Sequence, residues 1–178
     1  MDARIEAAGG RLQQLASIDF ALCCGAAHSV CNHALLVLFR GVSRLGDWPL
    51  SVIVGFSLLA VRGPRALAAW TAVSVLAVIV QKQLKNRYGR LRPCERPQGP
   101  PQRAPIPDHG SVPSGHTLHA VMAATVTASL LPAVAPFFLL IALLIALSRV
   151  VLGMHYPSDV IAGAALGGIL ASILLASI

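Results

Sequence analysis

An all-α, polytopic transmembrane helical bundle with five to six spans and an interfacial N-terminal helix is the fold this sequence predicts, on three observations. The chain of 178 residues is 56% hydrophobic and 12% charged, against about 45–50% and about 25% in an ordinary soluble domain. Its apolar residues gather in runs close to the ~20 residues that a bilayer crossing takes. Those runs lack the alternation of barrel strands, and in lipid only helices otherwise pair every backbone group.

Taken in order, residues 1–20 mix Ile5, Leu12, Leu15 and Ile18 with Arg4, Glu6 and Arg11, the pattern of a short helix lying along the interface. No basic region leads into a signal-peptide core, so no cleaved signal is expected. Residues 21–39 follow as a first span, with His28, Asn32 and His33 as polar interruptions. Further spans are expected at 48–61, 66–80 with a helical extension toward Tyr88, 117–135, 136–154 and 157–178. The shorter ones require tilt or extension. Between them, residues 81–116 form a candidate active-site loop. Its seven prolines, from Pro93 to Pro113 and including Pro107, cannot continue a helix. No linker of soluble composition divides the chain, so 1–178 reads as a single membrane-embedded domain.

The net charge is +7, and Lys82, Lys85, Arg87, Arg90, Arg92, Arg96 and Arg103 all fall in or beside that loop. Such a cluster attracts anions, either lipid headgroups or a substrate. Nucleic acid does not suit a chain this apolar. Cys23, Cys24, Cys31 and Cys94 show neither disulfide nor metal-ligand spacing, and Asp2, Asp19, Asp47, Glu95 and Asp108 do not cluster with histidines. No metal and no cofactor are therefore expected.

Counting crossings places three polar islands on one face of the membrane. The first runs from Lys85 to Arg92-Pro93; the second is Pro113-Ser114-Gly115-His116; the third is Ser148-Arg149, five residues, His155, three residues, Asp159. Because an out-and-back pair of helices separates the second from the third, the parity depends only on the last four spans. Three cations, two histidines, a hydroxyl, a flexible backbone and a carboxylate suit a phosphoryl group.

In composition and order these islands resemble the three-part signature of the type 2 phosphatidic acid phosphatase superfamily, the lipid phosphate phosphatases, and in particular its small bacterial members. The stretch Gly41 to Asp47 resembles bacterial members as well. The resemblance implies that His155 attacks phosphorus to give a phosphohistidine, and that His116 is the general acid that later activates water. It also implies a phosphate cradle of Lys85, Arg92, Ser114, Gly115 and Arg149. From spacing, Asp159 at the start of a helix opened by Pro157 can turn back and accept a hydrogen bond from His155, fixing its tautomer. Ser114 and Gly115 also suit a plain helix cap and turn. Arg149, closing an apolar run, is costly in the membrane without a partner. Arg87, Arg90, Arg96 and Arg103 read as solvated or headgroup-facing, and His28, His33, His109 and His119 as structural.

The expected partners are a lipid phosphate substrate and membrane lipids. Undecaprenyl diphosphate, phosphatidylglycerophosphate and phosphatidic acid all fit, with the polyprenyl diphosphate favoured. The same signature occurs in glucose-6-phosphatase-like enzymes and in vanadium haloperoxidases, and a non-catalytic headgroup-binding or transport protein would need only the cations. Ten of the fourteen Lys/Arg fall on the site face, which the positive-inside rule reads as cytoplasmic. Bacterial relatives commonly face the periplasm, so the expectation is a bacterial inner-membrane protein with a periplasmic site.

Overall fold

A computed structural model describes residues 2–106 and 108–178, with side chains from residue 13 onward. Met1, Pro107 and the side chains of Arg4, Ile5, Glu6, Arg11 and Leu12 lie outside the described residues. Among the described residues seven α-helices follow one another: α1 (Asp2–Ser29), α2 (His33–Leu45), α3 (Pro49–Arg62), α4 (Pro64–Tyr88), α5 (Gly115–Leu130), α6 (Ala135–Val151) and α7 (Pro157–Leu175). Short 3₁₀ turns occupy Pro93–Glu95 and Pro132–Val134. No strand is present among the described residues. Proline opens α3, α4 and α7, where the missing N–H would have had no intrahelical partner.

Two expectations need correction. Residues 21–39 do not form one helix: α1 runs past residue 20 to Ser29, the chain breaks at 30–32, and α2 begins anew. The physical cause is Asn32, whose side chain accepts a hydrogen bond from the Ala34 N–H at 2.8 Å and caps α2. With the expected extension of α4 toward Tyr88 present, the loop spans 89–114 rather than 81–116. The helix α4 continues through Lys85 to Tyr88, where left-handed Gly89 donates its N–H to the Lys85 carbonyl at 2.9 Å.

Among the described residues, three stretches are long and apolar enough to cross a membrane: Pro64–Glu95, Pro132–Val151 and Pro157–Leu175. The pair α2 and α3, bent by 43° at its break, qualifies together as a fourth. Large apolar side chains such as Ile79, Phe137, Leu143, Ile161 and Ile173 lie exposed on the outer faces of α4, α6 and α7. A contiguous apolar exterior is what lipid contact requires.

The helix α5 lies at the centre, with Leu118, Met122, Ala123 and Val126 buried. Its closest neighbour is α7. A side chain at Gly163 would collide with the Ser114 carbonyl, and one at Gly167 with the Leu118 carbonyl. This glycine pair, four residues apart, lets two backbones approach as small residues do in membrane helix pairs. The consequence for the site is direct, because the backbone that Gly163 touches is that of Ser114. Gly163→Ala is expected to cost about 1–3 kcal/mol through overpacking, read as a lowered Tm of the detergent-purified protein. Gly168→Ala, whose added methyl meets open space, should leave Tm unchanged; equal effects of the two substitutions would contradict this packing.

Candidate active site

The three polar islands converge at one end of the bundle, and Arg92 joins them. Its backbone is extended before Pro93, which turns the side chain inward until it is fully buried. One terminal nitrogen, Nη1, donates to the Met154 carbonyl at 3.0 Å and lies 3.2 Å from His155 Nε2. The other, Nη2, meets Asp108 Oδ1 at 2.7 Å. Lys85 Nζ, in the last turn of α4, meets the same carboxylate at 2.7 and 3.0 Å. Asp108 reaches both cations because the loop passes close over Lys85 at Gly110, whose φ of +85 and whose clearance of 3.1 Å to Lys85 Cβ favour glycine. Lys85 and Arg92 together hold Asp108 below the usual carboxylate range, outweighing the upward push of its burial.

His155 lies in the turn between α6 and α7, buried, and its partners fix its tautomer. Its Nδ1 is 2.7 Å from the Ser111 carbonyl, which can only accept. Its Nε2 faces Arg92, which can only donate. The proton therefore sits on Nδ1, and Nε2 keeps its lone pair. Burial, aided by the charges of Arg149 and Arg92, pushes His155 down to about 3 against the opposing pull of Asp159, so the ring is neutral at physiological pH. Here the structure corrects the expectation for Asp159: its Oδ2 stands 3.7 Å from Nδ1, too far for a hydrogen bond, and the Ser111 carbonyl takes that place.

Asp159 is instead the hub of a second network. Fully buried in the first turn of α7, where the helix dipole favours an anion, it accepts from the Tyr156 N–H at 2.9 Å and from the Ser111 hydroxyl. Arg90 Nη1 pairs with it at 2.7 Å. The other end of that guanidinium, Nη2, reaches Asp19 of α1 at 2.6 Å, and its plane lies 3.7 Å over the Tyr156 ring. Arg90 is thus neither solvated nor headgroup-facing. Neither is Arg103, which donates to the carbonyls of Ala27 and Val30 at 2.6 and 3.1 Å. Arg87 is exposed, in keeping with the sequence reading.

The second island opens α5. Ser114 is the N-cap residue but makes no side-chain cap bond; its hydroxyl pairs with that of Thr117 at 3.0 Å, and its N–H donates to the Asp159 carbonyl at 3.0 Å. Gly115 packs on the Gln81 carboxamide, leaving no room for a side chain. His116 Nε2 is hydrogen-bonded to Asp47 Oδ1 at 2.7 Å. Arg149, near the end of α6, donates to the Ser43 hydroxyl at 2.5 Å. It is buried, has no carboxylate partner among the described residues, and leaves its Nε unpaired.

All eight residues singled out from sequence therefore come together. Five more belong with them: Asp108, Arg90, Ser111, Asp19 and Asp47. Only Asp47 carried a signal, as the end of the stretch Gly41 to Asp47. Among the described residues no group of three His, Cys, Asp or Glu side chains is spaced to hold a metal ion.

The profile of the PAP2 superfamily matches residues 66–178. The chain belongs to that superfamily. Among similar PAP2 proteins is the decaprenylphosphoryl-5-phosphoribose phosphatase of Mycobacterium tuberculosis, 30% identical over 78% of each chain. The lipid A 1-phosphatase of Rhizobium etli is 35% identical over 64% of this chain and 54% of its own. A PAP2-type phosphatidylglycerolphosphate phosphatase from Bacillus subtilis superposes with a TM-score of 0.76 at 26% identity, over 92% of this chain and 86% of its own. This PAP2 chain is accordingly an integral membrane protein and a phosphoric ester hydrolase.

Arg90→Ala should destabilise the fold, since removing one partner of a buried pair costs about 3–5 kcal/mol. Arg90→Lys, unable to span Asp19 and Asp159 together, should recover part of the loss. Thermal unfolding in detergent reads both, and a wild-type Tm for the alanine variant would refute the pairing.

Proposed function

We propose that this PAP2 enzyme hydrolyses a lipid phosphate or diphosphate through a phosphohistidine on His155, with no metal ion. The observation that carries the reading is the unprotonated Nε2 of His155, whose lone pair accepts from Arg92 at 3.2 Å and turns to phosphorus once Arg92 takes up the phosphate oxygens. In the first step Nε2 bonds to phosphorus while the bond to the lipid oxygen breaks, and His116 gives that oxygen its proton. In the second, water attacks phosphorus, His116 takes the water's proton, and the P–N bond breaks to release phosphate. Lys85, Arg92 and Arg149 hold the non-bridging oxygens with the Ser114 hydroxyl and the Gly115 N–H. Asp47 stabilises the charged form of His116. Asp108 yields Lys85 and Arg92 to the incoming phosphate. Asp159 and Arg90 hold the turn that presents His155.

The lipid part of the proposal is supported by a groove of about 690 Å³ that opens at Lys85, Asp108 and His116 and is walled by Trp48, Phe56, Leu67, Trp70 and Val78. An apolar channel continuous with a cationic cradle suits a phosphate on an apolar tail. We favour a polyprenyl-linked phosphate or diphosphate, since one similar protein is named for a decaprenyl-linked substrate.

The proposed topology is a single domain with five crossings, α3 to α7. Residues of α1 lie at the site end, where Asp19 bonds Ser158 and Cys23 faces the His155 carbonyl. We place this face in the periplasm of a bacterial inner membrane, its arginines being spent on the site rather than on orientation.

Detergent-purified protein in excess EDTA should release phosphate from a panel of polyprenyl phosphates and diphosphates, phosphatidic acid and phosphatidylglycerophosphate, with inhibition by vanadate. His155→Ala should abolish turnover and leave no phosphoenzyme. His116→Ala should lose ~10²–10⁴-fold with alkyl phosphates and less with an activated aryl phosphate. Turnover by His155→Ala would overturn the covalent mechanism, and loss of activity on chelation would overturn its metal independence. For topology, single cysteines replacing Gln98 and Arg62 in a cysteine-free background should react with an impermeant thiol reagent from opposite sides, Gln98 from the periplasm. Reaction of both from one side would refute the crossing count.

A further inference from the structure

Beside the groove lies a second, open chamber of about 590 Å³, lined by the exposed Arg40 and Arg44 of α2 and by Arg103 of the loop. The two cavities share Asp47 and His116, and the chamber adds Arg149. Its chemistry differs from that of the groove. Four guanidinium groups line it, and its one carboxylate among the described residues, Asp47, is already engaged by His116 at 2.7 Å.

None of the four arginines forms an ion pair among the described residues. Arg40 Nε donates to the Arg103 carbonyl at 2.8 Å, and Arg103 donates to backbone carbonyls. Carbonyl partners fix these side chains in place without cancelling their charge. Arg44 makes no side-chain hydrogen bond among the described residues. Like charges gathered around a concave wall raise its positive potential and concentrate anions there, and planar guanidinium forks match phosphate oxygens in particular. The reaction proposed above needs three cations for one phosphoryl group. Arg40, Arg44 and Arg103 are surplus to it, yet they surround a space that opens onto the same His116 and Arg149.

We infer that this chamber binds a second phosphoryl anion next to the one being hydrolysed, either carried by the lipid substrate or taken up as free inorganic phosphate. The inference rests on the phosphatase reading for its first source only. Were the substrate a simple monophosphate, the chamber would serve released phosphate; were it a diphosphate or a lipid with a phosphorylated headgroup, the chamber would select it.

The test uses the full chain in detergent, with Arg44→Gln and the double variant Arg40→Gln/Arg44→Gln, and with farnesyl monophosphate and farnesyl diphosphate as probes. If the second phosphoryl belongs to the substrate, kcat/KM for the diphosphate should fall about tenfold or more, the equivalent of one charge-assisted contact, with monophosphate turnover retained. If the chamber takes free phosphate, the ratio of the two substrates stays constant and the inhibition constant of inorganic phosphate against the monophosphate rises by a similar factor. Arg44→Gln breaks no hydrogen bond among the described residues, and a wild-type Tm for it separates a binding effect from misfolding. Should the wild type hydrolyse neither substrate, the phosphatase reading fails on its own, and calorimetric titration with pyrophosphate still decides the chamber: binding by the wild type and loss in the double variant supports it. An unchanged substrate ratio with an unchanged phosphate inhibition constant, an equal fall on both substrates, or pyrophosphate binding untouched by the double variant overturns it.

Discussion

A guanidinium with no exposure to solvent is expensive unless its charge and most of its hydrogen bonds are met, and Arg92, with only its Nε unpaired, offsets that cost by drawing two parts of the chain onto itself. The Met154 carbonyl and the Nε2 of His155 come from the turn before α7, and the Asp108 carboxylate from the proline-rich loop. The loop and the turn are thereby located relative to each other through this one side chain. The same side chain decides which nitrogen of His155 keeps its lone pair, because an arginine has only protons to offer. The Ser111 carbonyl enforces the same choice from the other side of the ring. Two independent donor–acceptor constraints agreeing on one tautomer is stronger than either alone, since reversing it would cost both hydrogen bonds.

The superfamily match begins at residue 66, yet the site is not complete within it. Asp19 of α1 holds one end of Arg90, Ser43 of α2 holds Arg149, and Asp47 between α2 and α3 holds His116. These three contacts share a logic. Each gives a cationic or ionisable group of the matched region a polar partner from upstream, so the first helices close the site face while the later ones build the cradle. The break at 30–32 is what makes this possible. Helix α1, ending at Ser29, keeps Asp19, Cys23 and Ala27 against the first turn of α7, the α6–α7 turn and the loop, and α2, starting anew at His33, brings Ser43 to Arg149.

What the sequence made legible follows from range. Apolar runs and prolines act locally, so α3 through α7 were readable to within a few residues. Lys85, Arg92, Ser114, Gly115, His116, Arg149, His155 and Asp159 were readable because they recur at set spacings. Arg90 and Asp108 have no such spacing. Their roles come from partners far along the chain, Asp19 and Asp159 for the one, Lys85 and Arg92 for the other, and a lone charge in a basic loop reads as solvated. Ser111 was invisible for another reason: its main contribution to His155 is a backbone carbonyl, which every residue type possesses. Asn32 could have been read as a cap, but it sits inside an apolar run whose hydropathy argues for continuity.

The distribution of counter-charge separates the cations of the site into two kinds. Lys85 and Arg92 share Asp108, whose depressed titration keeps it ionised at neutral pH. Arg149 is as buried as they are and faces only the Ser43 hydroxyl. A phosphate dianion offers more charge than one carboxylate and three strong acceptor oxygens, enough to serve all three cations at once where Asp108 serves two. On the proposed mechanism, the Arg149 position is the point at which an incoming phosphoryl group would gain most over the internal carboxylate, and Asp108 the group whose displacement would make that gain selective. In the proposed reaction, an anion too weakly charged to outbid a carboxylate for Lys85 and Arg92 would leave Asp108 in place, so this counter-ion would favour dianionic phosphoryl groups over the carboxylates that a cationic cradle alone would also attract.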